Sequence, residues 1–509
     1  MTNTFYTNVQ TYGSNILYRG VENGRRVKHK IEYKPTLYVS SGKPSKYKTV
    51  KGEYVSPVNP GTISDCRIFS KKYKDVDNFT IYGNQRYEYS FIYDNSEKEI
   101  LWDKSLINVC NIDIEVFSGN GFPHPETATE EITAITYKMN NIITAYGCGD
   151  FVNTRNDVRY VKCSNEIDIL KRFIDDWSSI YPDIITGWNI KFFDIPYIVN
   201  RINKVLGESW AKRLSPWNYL SDRTVFIMGK DQVTYIPVGI AVLDYIDMYK
   251  KYVPGGNSQE SYRLDAICHN DLGERKISYE EYGSIHTLYT DNYQKFLEYN
   301  IKDVELVEML DNKHKVIDLV LTLSYDNKCN YEDVFSQIRM WDVIITNRLM
   351  DNNVVVPPTK STEKTEKFVG AYVKDPQIGM HKWIASFDVA SLYPSLIRQY
   401  NISPDTIIEP ENYTDEQRTI LKQRISIDTM LSQSVNTSSL KNEGCTLTPN
   451  GQLFKTTEKG FLNTLMEEMF NDRIKYKKEA MTAKKELENV LREMKRRKID
   501  GQQSSSENV

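Results

Sequence analysis

The first strong hydrophobic pattern is an apolar strand over 107–116, Ile-Asn-Val-Cys-Asn-Ile-Asp-Ile-Glu-Val, in which Asp113 and Glu115 stand two residues apart. Before it, residues 1–105 are rich in Tyr, Val and Thr broken by Gly, Pro and Asn, and segments such as Ile16-Leu-Tyr-Arg19 and Lys34-Pro-Thr-Leu-Tyr-Val39 predict short strands with turns between them. Asp183-Ile-Ile-Thr-Gly187 predicts a strand ending in a glycine turn, and Asp194 caps or opens a helix over 195–205. Residues 227–237 predict a hairpin with Gly229-Lys-Asp-Gln232 near its tip. Phe296, Leu297, Ile301, Val304 and Leu306 give 294–310 a helical period. Pro357-Pro358 and a polar run mark 351–380 as a linker. Trp383-Ile-Ala385 leads through Phe387 to Asp388 and predicts a buried strand. A turn at Ser391-Leu-Tyr-Pro394 follows, then a helix with Pro394 in its first turn. Residues 411–450 are polar. A long helix is predicted over 457–498, with Thr457 as N-cap and Leu462, Leu465, Met466, Met469, Phe470 and Ile474 in one stripe.

Composition changes this picture little. The 509 residues suggest roughly three or four domains. A hydrophobic fraction of 40 % supports real cores, and a net charge of −3 gives no sign of a uniformly basic surface, although a local basic groove remains compatible with it. The seven cysteines form no C-x-x-C pair, which points away from zinc and from a disulfide framework. The first residues carry neither a basic nor an apolar stretch, so no signal peptide is expected, and no apolar run is long enough to span a membrane.

The chemistry lies in the acids. Side chains alternate across a strand, so Asp113 and Glu115 share a face. Two carboxylates on one buried face repel unless cations neutralise them, and a pair of divalent metals does that while supporting phosphodiester hydrolysis. Tyr299 and Asp303 are four apart and share a helix face, where a phenol and a carboxylate can orient an attacking water. Asp388 at a strand end, before a turn that opens a helix, suits a metal–triphosphate. Arg473 and Lys477 are also four apart on one face, and a solvated basic helix is the plainer account of Lys484 onward. Arg25, Arg26, Lys28 and Lys30 read best as a solvated basic face.

Taken together, the motifs resemble a known family. Asp388-Val-Ala-Ser-Leu-Tyr-Pro-Ser, extended through Asn401-Ile-Ser-Pro404, resembles the first catalytic motif of family B DNA polymerases, in the branch of the T-even-type tailed phages. Asp113-Ile-Glu115, then Gly187-Trp-Asn with Phe193-Asp-Ile-Pro-Tyr197, then Tyr299-Asn-Ile-Lys-Asp303 resembles the DnaQ-like 3′→5′ exonuclease set of proofreading polymerases. The resemblance implies a multidomain α/β and α+β chain. It comprises a β-rich N-terminal domain (1–106) lying along the template and an RNase H-like exonuclease domain (107–315). A return segment and linker (316–378), a partial palm (379–456), a first fingers helix (457–500) and a disordered tail (501–509) follow.

The same resemblance assigns roles. Asp113, Glu115, Asp194 and Asp303 would bind two Mg²⁺ or Mn²⁺ ions, with Tyr299 beside them. Asp388 and Val389 would bind metal at the polymerase site. Ser391, Leu392, Tyr393, Arg473 and Lys477 would hold the incoming nucleotide, with Tyr393 excluding a 2′-hydroxyl. The 227–237 hairpin would help part primer from template. Phe368-Val-Gly-Ala-Tyr-Val373 resembles the Y-x-G-G/A element, with Phe in place of Tyr.

The family's second polymerase carboxylates, in Y-G-D-T-D-S, and its K-x-x-x-N-S-x-Y-G helix do not occur in these 509 residues, and residues 389–509 hold no D-x-D. The expectation is an N-terminal subunit of a split replicative DNA polymerase, viral and acting in the host cytoplasm. It would bind DNA primer-template and dNTP, be completed by a C-terminal chain, and reach a sliding clamp through that partner. A free-standing exonuclease with a vestigial palm and a non-catalytic nucleic-acid-binding remnant are the alternatives.

Overall fold

The computed structural model describes residues 4–506 except 78, 120, 228, 359–374 and 390, and describes no side chain at 227 or beyond 497. The Phe368–Val373 element therefore lies outside the described residues. The chain forms two units, residues 1–40 with 56–352, and residues 41–55 with 353–509.

The first unit begins with an antiparallel meander, Phe5–Tyr12, Asn15–Glu22 and Arg25–Glu32. Its second turn is Asn23-Gly24, both at positive φ (51° and 75°), the pair that a two-residue hairpin turn favours. Two helices that the strand-rich reading of 1–105 passed over, Ile63–Lys72 and Tyr87–Asn95, cover this region. The first had a legible start: Thr62 and Asp65 form a reciprocal capping box. Residues 316–352 come back onto the meander. Asn330 bonds the Val9 backbone with both ends of its amide, accepting from N at 2.9 Å and donating to O at 2.8 Å. Tyr6 Oη donates to the Cys329 carbonyl at 2.8 Å, and Tyr325 Oη to the Tyr6 carbonyl at 2.8 Å.

The larger sheet of this unit has six strands in the order Val158–Lys162, Ile142–Gly147, Ile132–Met139, Val109–Val116, Ile184–Gly187, Ala241–Asp244. The last three run parallel to one another, and Ile132–Met139 is antiparallel to both of its neighbours. This is the RNase H-like sheet that the resemblance implied. Period-two alternation divides the Val109–Val116 strand. Cys110, Ile112, Ile114 and Val116 enter a core with Ile169, Leu170 and Phe173 of the helix Glu166–Ser179. Asn111, Asp113 and Glu115 face the other side, where the helix Tyr293–His314 lies and Asn111 Nδ2 donates to the Val304 carbonyl at 2.6 Å. Gly187 ends the neighbouring strand at φ 158°, and a Cβ there would stand 2.4 Å from the Ile112 carbonyl, so only glycine lets the chain pass this close to the Asp113 strand.

The basic strand Arg25–Glu32 is more than a solvated face. Arg26 donates to Asp183 Oδ2 at 2.6 Å and to the Leu106 carbonyl at 2.9 Å. Buried Arg19 donates to the Pro182 and Gly239 carbonyls at 2.8 and 2.6 Å and pairs with Asp183 at 3.3 Å. Asp183, 1 % exposed, also accepts from Thr7 Oγ1 at 2.9 Å and from the Asn108 N–H at 2.8 Å. This network clamps the meander to the start of the Ile184–Gly187 strand. Asp183→Ala would leave the Arg19 charge buried and unpaired, and an unfolding free energy lower by about 3–5 kcal/mol is expected in urea denaturation.

In the second unit, Lys48 exchanges backbone bonds with the returning chain, donating to the Asn353 carbonyl at 3.1 Å and accepting from the Val355 N–H at 2.9 Å. The expected buried strand before Asp388 is not formed. Residues 381–389 are irregular and exposed, with Trp383 100 %, Ile384 77 % and Phe387 93 % exposed. A strand needs a neighbour to take its N–H and C=O groups and a layer to cover its apolar face. Among the described residues none pairs with this segment. The turn and helix do form, as Ser391 in the left-handed region (φ 51°) followed by Leu392–Tyr400.

The long helix is Phe461–Ser506, which starts four residues later than Thr457 and runs into the stretch expected as a disordered tail. Its start is set from elsewhere in the chain. Asp405 Oδ2 accepts from the Phe461 N–H at 3.2 Å, Ser403 Oγ from the Leu462 N–H at 3.3 Å, and Asn401 Oδ1 from the Gly460 N–H at 3.0 Å. These side chains satisfy free N–H groups at the start of the helix, in place of a local cap at Thr457. Leu465 and Met466 are buried, Asn463 Nδ2 donates to the Arg398 carbonyl at 3.1 Å, and the Arg398 guanidinium lies over the Phe470 ring. From Met469 on, the stripe opens to solvent.

Candidate active site

Asp113 and Glu115 lie on the inner strand of the six-stranded sheet, and Asp303 comes from the buried face of Tyr293–His314. Candidate ligand oxygens of these three carboxylates all lie within 4.8 Å of one another. Asp194 opens the helix Asp194–Val205 and is 3 % exposed, and its Oδ1 accepts from the Ile114 N–H at 3.1 Å, which ties the helix start to the Asp113 strand. Asp194 opens rather than caps this helix: Phe193 holds the N-cap position, and Asp194 Oδ1 is turned to the neighbouring strand. All four acids line one cavity of about 700 Å³, with Tyr299, Lys276, Trp188, Phe193 and exposed Phe122.

The electrostatics follow from crowding anions in a buried place. Burial first, then Asp303, raise Glu115 to about 8, against the pull of Lys276. Burial raises Asp194 to about 7, against backbone N–H bonds that favour its charged form. Asp113 is driven well above the carboxylate range by burial and by Asp303, Asp194 and Glu115. Asp303 is raised by burial and held back by Lys276. Four acids that resist ionisation side by side need positive charge. One source is Lys276, whose Nζ donates to Asp303 Oδ2 at 2.5 Å and to Tyr299 Oη at 3.1 Å. The other oxygen of Asp303, Oδ1, is buried and has no hydrogen-bond partner. Hard carboxylate oxygens, one of them unpartnered, gathered on one wall of a roomy cavity fit a divalent cation such as Mg²⁺ or Mn²⁺.

Sequence reasoning missed Lys276 because it lies in an irregular stretch, and no spacing connects it with Asp303, 27 positions on. It also missed Asp244, 2 % exposed and raised to about 7 by burial. Asp244 accepts the N–H groups of Asn189 and Lys191 at 3.0 and 2.9 Å and so shapes the loop before Asp194.

Residues 60–267 match the family described as DNA polymerase family B, exonuclease domain, and residues 333–505 match DNA polymerase family B. The chain belongs to the family B DNA polymerases. It is 32 % identical over 502 residues to the DNA-directed DNA polymerase of Enterobacteria phage T4, covering 93 % of this chain and 54 % of that protein. With the DNA-directed DNA polymerase of Escherichia phage RB69 it shares 35 % identity over 433 residues, 79 % of this chain and 47 % of that one. The DNA polymerase delta catalytic subunit of Schizosaccharomyces pombe is 24 % identical over 433 residues, covering 79 % of this chain and 36 % of that protein. The chain spans about half the length of the phage relatives.

On the polymerase side of this family B chain, the structure brings together fewer of the expected residues. Arg473 Nη1 donates to Ser391 Oγ at 3.3 Å, so the long helix meets the turn before Leu392. Tyr393 is 70 % and Val389 61 % exposed, and Asp388 and Lys477 are exposed as well. Among the described residues, the group of three or more metal-ligating side chains is Asp113, Glu115 and Asp303, and Asp388 is not gathered with other acids. Among the described residues no helix is long and apolar enough to cross a membrane.

Proposed function

We propose that this chain is the proofreading half of a replicative DNA polymerase. It would carry a complete 3′→5′ exonuclease site and one side of a polymerase site. The observation that carries the reading is the convergence of Asp113, Glu115 and Asp303 within 4.8 Å, with Asp194 lining the same cavity. The four acids would hold two Mg²⁺ or Mn²⁺ ions, which when bound supply Lewis-acid stabilisation of charge at the scissile phosphate. The protein's own groups do the rest. Tyr299 and Asp303, held by Lys276, orient the attacking water. Phe122 and Phe193, with rings 5.7 Å apart at the cavity, offer faces to the terminal bases of a single strand. Release of mononucleotides from the 3′ end of labelled single-stranded DNA tests this, and a chain inert with Mg²⁺ and with Mn²⁺ overturns it.

Lys276→Met should leave binding of the strand in place and lower kcat by about 10–100-fold, since Tyr299 and Asp303 lose their shared donor. Single-turnover kinetics would show the loss in the chemical step rather than in KM.

For synthesis, Asp388, Val389, Ser391, Leu392, Tyr393, Arg473 and Lys477 would bind metal and dNTP. The remaining carboxylates would come from sequence outside residues 1–509, whether on the same or a second polypeptide. In this reading 1–106 follows the template, 107–315 edits, 316–378 returns, and 379–456 and 457–500 are parts of palm and fingers. A sliding clamp would be engaged through the completing segment.

A further inference from the structure

Asn300 lies between the two catalytic-type residues of the Tyr293–His314 helix and is fully buried. Its Nδ2 donates to Asp113 Oδ2 at 2.7 Å, and its Oδ1 has no hydrogen-bond partner. Packing alone does not ask for an amide here. A buried acceptor left unmade is costly, and an apolar side chain of the same shape would fill the space without that cost. The amide therefore has a use, and the only bond its side chain is seen to make is to Asp113.

We propose that Asn300 is a positioning residue that holds the Asp113 carboxylate for divalent-cation binding. The inference rests on the exonuclease reading of this site. Three carboxylates within 4.8 Å push one another apart, and Asp113 can relieve the strain by rotating about its own side-chain bonds. The Asn300 N–H blocks that rotation. It commits Oδ2 to a fixed donor and leaves Oδ1 as the oxygen for a cation. Both partners sit on rigid elements, one on the central strand and one inside the helix, so the geometry is set before any cation arrives. Partners of this kind orient metal ligands and typically contribute about 10–100-fold in affinity. Thr136 serves as the internal control. It is paired in register with Asp113 on the adjacent strand and is fully buried, and its Oγ1 has no hydrogen-bond partner.

The test is Mn²⁺ binding to the full chain, by isothermal titration and by loss of the free Mn²⁺ resonance, with thermal unfolding in EDTA alongside. Asn300→Leu is expected to bind Mn²⁺ about 10–100-fold more weakly while unfolding in EDTA no earlier than wild type. Asn300→Ser, too short to reach Asp113, should do the same if the leucine variant fails to fold. Thr136→Val should stay within about twofold of wild type, as expected of a residue that makes no bond to a ligand carboxylate. An Asn300 variant with wild-type Mn²⁺ affinity overturns the proposal while leaving the site intact. Equal Mn²⁺ binding by wild type and by Asp113→Ala/Glu115→Ala overturns the reading of the site itself.

Discussion

Asp113→Ala/Glu115→Ala is expected to abolish metal-dependent degradation of single-stranded DNA by this chain. Removing one preorganised group that stabilises transition-state charge costs about 10²–10³ in rate. Here two of the four carboxylates go, and with them the anchorage of both cations, so the loss should exceed about 10³-fold and leave nothing above background. The fold should survive, because the substitutions relieve repulsion among buried acids. In EDTA the double variant should unfold no earlier than wild type near pH 8. The pH dependence follows from the raised carboxyl groups. Against ordinary values of 4.5 and 3.8, Glu115 sits at about 8 and Asp194 at about 7 in the folded chain. Groups raised in this way favour the folded state below the ordinary carboxylate range, and that contribution is lost as pH rises through about 7 to 8. Mn²⁺ competes with the same protons, so its stabilisation of wild type should be small at pH 6 and large at pH 8. A Mn²⁺-induced thermal shift that is equal at both pH values, or nuclease activity that persists in the double variant, would refute the assignment.

Primer extension by residues 1–509 alone is expected to be undetectable, and to appear when the missing carboxylate segment is supplied. Two-metal phosphoryl transfer needs acids from more than one element. Asp388 lies exposed on an irregular segment and is not gathered with other acids among the described residues. Apolar residues next to it in the chain and along the long helix face solvent. Trp383, Ile384, Phe387 and Val389 are each more than 60 % exposed, and Met481, Leu487, Val490, Leu491 and Met494 are exposed along the helix beyond Met469. In the proposed reading these exposed apolar side chains are what a completing segment would cover, and most helical stability in proteins comes from packing an apolar face. Hydrogen exchange should therefore be fast at 381–389 and 471–497 in this chain and slowed on addition of a segment carrying the missing palm and fingers. Primer extension by the purified chain unaided would show that the account of the missing acids is wrong. Unchanged exchange at 471–497 after addition would favour a free-standing exonuclease.

Much of the exonuclease side was legible from sequence. The alternation in Asp113-Ile-Glu115, the i,i+4 spacing of Tyr299 and Asp303 and the glycine at 187 are local patterns, and local backbone geometry turns each into a definite direction for a side chain. The hairpin expected at 227–237 is present but begins earlier: Leu220–Ile227 pairs in register against Lys230–Pro237, so the first arm lies before the expected range. What local pattern could not supply was anything that depends on a distant partner. Lys276 reaches Asp303 only because the fold lays an irregular stretch beside the helix. Arg26, which read as a solvated cation, is engaged by Asp183, 157 positions away.

The clearest divergences share one cause. Trp383 to Phe387 has the composition of a buried strand, but burial and pairing are properties of neighbours, and among the described residues that segment has none. Thr457 has the chemistry of an N-cap, but Asn401, Ser403 and Asp405 arrive from across the second unit and set the start at Phe461 instead. The sequence by itself determined which residue types carry the chemistry and which face of each element presents them, because those depend on the backbone period. The tertiary structure alone decided which groups meet, which charges are paired and how far each acid is pushed from its ordinary range, because desolvation and Coulomb interactions act through space and not along the chain.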